Sequence, residues 1–139
     1  MDQIVTLETA KLAMEVGYDG KFLYQYLDGE DTPIPNMMFN HKHYIEVDDL
    51  DLDVDQLECY KIPAPTQTAL SRWLREKCNL FVMVQIDDVV GYYYEIYTTP
   101  NIGKVELVVN CWKSCGEYEE AMEDALQEAC YIIKERRSE

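Results

Sequence analysis

Positive charge is what this chain has least of. Against 27 aspartates and glutamates stand only 12 lysines and arginines, giving a formal charge of −15 over 139 residues. Nucleic-acid affinity rests largely on neutralising phosphates with Lys and Arg, so direct nucleic-acid binding is not expected. Histidine is scarce too: the chain has two, His41 and His43, too few for an imidazole-rich metal or catalytic set. The six glycines form no phosphate-cradling loop. No apolar run approaches the ~18 residues that would indicate a membrane span. The opening segment, MDQIVTLETAKL, is polar and acidic, unlike a secretory signal. The cysteines are five (Cys59, Cys78, Cys111, Cys115 and Cys130), an odd number that argues against a disulfide framework. Together these absences predict a reduced, cytoplasmic setting without membrane attachment.

What is present is enough to build a core. The chain is 47% hydrophobic and carries eleven tyrosines, which separates it from a disordered acidic tail. Its length suits one domain, residues 1–139. The acidic excess lies mainly in an N-terminal part, 1–62, and is weaker in an α-β-β-β-α unit at 63–138.

The spacing of Leu7, Ala10, Leu12 and Val16 predicts a short helix over 7–16, with Thr6 as its cap and Gly17 as its stop. KFLYQYL (21–27) alternates like a strand, and one more strand is expected near 44–47. DGEDTPIP (28–35) reads as a turn or loop, and Pro63 and Pro65 read as punctuation. Thr66 then caps a helix over 67–77. Residues 80–86, 92–98 and 104–110 read as three strands joined by turns too short for anything but hairpins. Val105, Leu107 and Val109 are expected on one side of the third strand, and WKSCGE as the loop after it. Tyr118, Ala121, Met122, Ala125, Leu126, Ala129, Ile132 and Ile133 recur at three- and four-residue steps, predicting a long helix over 117–136. Glu117, Glu119, Glu120 and Glu123 crowd its first turns, where the helix dipole favours acids. Glu123 is placed on the wet side.

The expected fold class is therefore α+β. A three-stranded antiparallel meander, with one or two further N-terminal strands, is covered on one face by two helices, and a short helix opens the chain. The core should hold Trp73, Leu74, Met122, Leu126 and Ile133. Double-stranded-RNA-binding domains share the α-β-β-β-α order, but they need basic residues at a helix N-terminus; here that position is acidic.

Three segments, VTLETAKLAMEVGYD (5–19), PAPTQTALSRWLRE (63–76) and YEEAMEDALQEACYII (118–133), together resemble small uncharacterised proteins encoded by tailed bacteriophages and prophages of gut bacteria. The resemblance implies a setting inside an infected bacterial cell. It carries no activity and no site residue.

No catalytic, cofactor or metal site is expected. The aspartates 49, 51, 53 and 55 line one face of an extended segment, and alternating carboxylates suit hard cations. A calcium loop starting at Asp49 would need Gly and Glu where Val54 and Tyr60 stand, and one starting at Asp51 meets Gln56 and Ile62 instead. A solvated acidic face is the better reading. His41 and His43 lack further ligands nearby, and Cys111 and Cys115 lack a second pair. Cys78 and Cys130 fall beside apolar helix faces and read as inert core thiols.

The tyrosine strand is the most suggestive surface. Tyr92 and Tyr94 share one face, and Tyr93, Glu95 and Tyr97 the other. The interface candidates are Tyr93, Tyr97 and Trp112, with Asp49, Asp51, Asp53 and Asp55 as an acidic flank. The leading expectation is a non-enzymatic interaction protein that binds a protein or itself, as a two-fold homodimer. Two alternatives stand beside it: an acidic nucleic-acid mimic that fills a host protein's basic groove, and a metal-assisted hydrolase built on His41, His43 and neighbouring aspartates.

Overall fold

The computed structural model describes residues 3–27, 32–35 and 61–138. Its elements run α1 (Leu7–Glu15), β1 (Tyr24–Leu27), β2 (Ile34–Pro35), β3 (Lys61–Ala64), α2 (Gln67–Cys78), β4 (Phe81–Asp87), β5 (Gly91–Asn101), β6 (Lys104–Cys115) and α3 (Tyr118–Ser138). The class is α+β, and the three-stranded antiparallel meander is present as β4-β5-β6. The strand expected near 44–47 lies outside the described residues.

Local chemistry sets the helix ends. The Thr6 hydroxyl accepts the Thr9 N–H and the Thr66 hydroxyl accepts the Ala69 N–H, so each helix starts on a threonine. Gly17, at φ +93°, ends α1 while the N–H of Tyr18 reaches back to the Ala13 carbonyl. Asn79 ends α2 at φ 55°, and the N–H of Leu80 bonds the Leu74 carbonyl. The β4–β5 turn is held by Asp87, whose carboxylate accepts the N–H groups of Val89 and Val90.

The long helix α3 is the hub. It crosses β4, β5 and β6 on one side and packs against α1 and α2 elsewhere, while α2 also meets β4. Trp73, Leu74, Met122, Leu126 and Ile133 all belong to the buried cluster, beside Leu70, Leu80, Ile96 and Cys130. Val5, Tyr26, Ile62 and Ala64 join the same cluster, so the N-terminal elements share this core.

Several expectations need correction. β1 does not add to the meander; it sits between β2 and β3 in a second antiparallel sheet. That sheet includes Ile34 and Pro35 from the presumed loop, and Pro63, which pairs with Gln25. Pro63 is tolerated because β3 is an edge strand, where a missing N–H costs no ladder bond. β6 continues through WKSC to Cys115, because this stretch pairs with the start of β5: Tyr94 opposite Cys111 and Tyr92 opposite Cys115. A register shift between Ile96 and Tyr97 inserts one extra β6 residue. Alternation breaks there, so Val108 and Val109 both pack on the core while Val105 and Leu107 face solvent.

Glu123 is the largest departure. It is not on the wet side but 7% exposed. Its carboxylate accepts the Thr6 N–H at 2.6 Å and the Gln67 side-chain amide at 2.9 Å. The same amide also donates to the Glu119 carbonyl. Glu123 thereby ties the starts of α1 and α2 to α3. Those starts lie side by side, since the Val5 N–H bonds the Pro65 carbonyl and the Gln67 N–H bonds the Gln3 carbonyl.

Candidate functional site

The helices cover one face of the β4-β5-β6 sheet. Tyr94 and Ile96 point to that side and are buried; burial raises the Tyr94 phenol pKa, helped by a hydrogen bond with Cys111. On the opposite side β5 presents Tyr93, Glu95, Tyr97 and Thr99. β4 sets Phe81 and Met83 beside them, and β6 adds Val105 and Leu107. Met83 is 48% exposed, Leu107 50% and Val105 63%. Phe81, Met83, Tyr97, Thr99 and Val105 line a shallow apolar groove of about 240 Å³.

Polar groups on this face are internally matched. The Tyr97 hydroxyl donates to Glu95 Oε2 at 2.7 Å, and the Gln85 amide donates to Glu95 Oε1 at 2.5 Å. The hydrogen bond to Glu95 raises the Tyr97 pKa, so the ring stays a neutral donor. The arrangement offers apolar contact and a fixed carboxylate, with its donors already in place.

Of the sequence-predicted interface residues, Tyr93 and Tyr97 lie together on this face, each half-buried. Trp112 is on β6; its side chain lies outside the description. Asp49, Asp51, Asp53 and Asp55 lie outside the described residues, as do His41, His43 and Cys59. Cys111 and Cys115 both sit on β6, where the Cys115 thiol donates to Asp124 at 3.7 Å. Among the described residues no three His, Cys, Asp or Glu side chains gather as a metal set. Cys130 is buried against α1 and α2, and desolvation pushes its pKa up to about 12. Cys78 is half-buried and shifted upward by the same cause.

Sequence reasoning missed two features. One is the Glu123 junction, for which the recurrence of Leu126 and Cys130 on the same helical arc was the available signal. The other is a cleft of about 500 Å³ between α2 and the start of α3, where Arg72 and Arg75 stand. Their spacing on one helix face was readable, but the partner wall from α3 was not. Among the described residues no helix is long and apolar enough to cross a membrane.

No family model, curated protein or solved structure matches this chain.

Proposed function

We propose that the protein is a non-enzymatic interaction protein of phage type, and that its contact surface is the solvent-facing side of β4-β5-β6. The observation that carries this reading is the patch of Phe81, Met83, Tyr97, Val105 and Leu107, left open among the described residues. Clustered apolar and aromatic side chains of this kind mark association surfaces.

The occupant we favour is a second copy of the chain. A molecule of charge −15 repels its own copies over most of its surface. On this face the central acid, Glu95, already accepts two hydrogen bonds, and its neighbours are uncharged. Two copies can meet here with little like-charge cost, and apolar contact then sets the affinity.

Light scattering at micromolar concentration should give twice the chain mass of 16.3 kDa. Tyr93→Glu combined with Tyr97→Glu should return a monomer with unchanged circular dichroism. A wild-type chain that stays monomeric at hundreds of micromolar overturns the self-association reading.

A further inference from the structure

We propose that the cleft between α2 and the start of α3 binds a small oxyanion, a phosphate or carboxylate group on a compact molecule, through Arg72 and Arg75. Thr68, Ser71, Arg72 and Arg75 fall at helical steps of three and four, so they form one stripe on α2. Ser71, Arg72 and Arg75 bring donor groups, and no acid interrupts the stripe. Across the cleft stand Tyr118 and Glu119 of α3, the latter its single carboxylate among the described residues.

The state of the two guanidinium groups is the telling point. The chain carries more than two acids for every base, and exposed Lys104 and Lys134 are both taken up by glutamates, Glu106 and Glu15. Arg72 and Arg75 are exposed, yet among the described residues neither has an ion pair, even with Glu119 on the opposite wall. Two forked donors one helical turn apart match the geometry of a phosphate or carboxylate. A second cleft, on the other side of Arg72, is the weaker candidate because Asp19 and Glu76 line it.

Size and field select the ligand. A volume of about 500 Å³ fits a small molecule. A polyanion such as nucleic acid would meet the repulsion of the whole acidic surface. A compact anion at the cleft feels mainly charges within a screening length of about 8 Å at physiological salt.

The test is an NMR titration of the full-length chain, following the Arg72 and Arg75 side-chain Nε–H signals. Inorganic phosphate is added in one arm and succinate in another, up to tens of millimolar at constant ionic strength. We expect saturable shifts of both signals, and the tighter arm identifies the preferred oxyanion. Arg72→Gln with Arg75→Gln should weaken that binding about tenfold or more, as loss of charge-assisted contacts requires. Arg72→Lys with Arg75→Lys keeps the charge and loses the fork, and should fall between the two. It also serves as the comparison should the Gln pair melt early. Absence of saturable shifts with both anions overturns the proposal, as does equal affinity in the wild type and the variants.

Discussion

At the scale of single residues, Glu123 and Cys130 carry the clearest consequences. Glu123 is buried and accepts two donors from two other helices. Glu123→Gln keeps the shape but must turn an amide N–H₂ toward one of those donors. It should destabilise the fold by about 1–3 kcal/mol, the cost of an unmatched buried polar group. A urea melt measures it, and a loss below a few tenths of a kcal/mol would show the junction is slack. For Cys130 the folded pKa of about 12 lies above the ordinary thiol value. A raised acid pKa means the unfolded chain gives up its proton first. The associated stability is therefore intact below pH ~9 and is lost as pH climbs toward 12. The melting temperature should fall across that window more steeply for the wild type than for Cys130→Ala. Iodoacetamide at pH 8 should leave Cys130 unlabelled until denaturant is added, because its thiolate is both scarce and enclosed.

At the scale of elements, α3 decides the architecture. Leu126 is fully buried at its centre. Leu126→Asp places an unpaired charge in the shared core and should abolish the cooperative unfolding transition, since such burial exceeds the usual range of point-mutation costs. A cooperative melt near wild type would refute the hub role. The same helix shows what sequence could reveal. Its length and apolar arc were legible because eight side chains recur at helical steps, and the hairpins were legible because their turns are short. The threonine caps followed from residue type alone. The width of the buried arc was not legible. A helix touched by a sheet and by two other helices buries more than one stripe, and only the fold says so; hence Glu123. The bulge at Val108 was hidden for a related reason. The run KVELVVN puts Val105, Leu107 and Val109 in one phase, and only its pairing with β5 reveals the register shift that breaks that alternation. Likewise WKSC has turn-like composition, yet tertiary pairing holds it as strand.

At the scale of the whole molecule, both candidate surfaces are built mainly from residues 63–138, with Gln3 also lining the cleft, and they face different demands. The sheet face has one central acid, Glu95, among uncharged neighbours, a sparse charge for so acidic a chain, which suits contact with a like-charged copy. The arginine cleft is a local island of opposite sign. Neither surface was fully visible beforehand. Tyr93 and Tyr97 could be placed on one face by alternation, but Phe81, Met83 and Leu107 became their neighbours only through strand register. The cleft needed α2 and α3, distant in sequence, to meet. These surfaces are separable: Tyr97 belongs to one and Arg75 to the other, so the variants that test each leave the other's side chains untouched.

The clasp between α1 and α3 has a further consequence during synthesis. Thr6 bonds Glu123, Thr9 bonds Gln127, and Glu15 bonds Lys134. Each contact joins residues 117 to 119 positions apart in the sequence. At about 5–20 residues per second, α1 spends roughly 6–24 s without its partner surface on α3. For that interval much of its apolar side is open to chaperones and proteases, and a ribosome that stalls before α3 is made releases a chain whose first helix has only β3 to pack against.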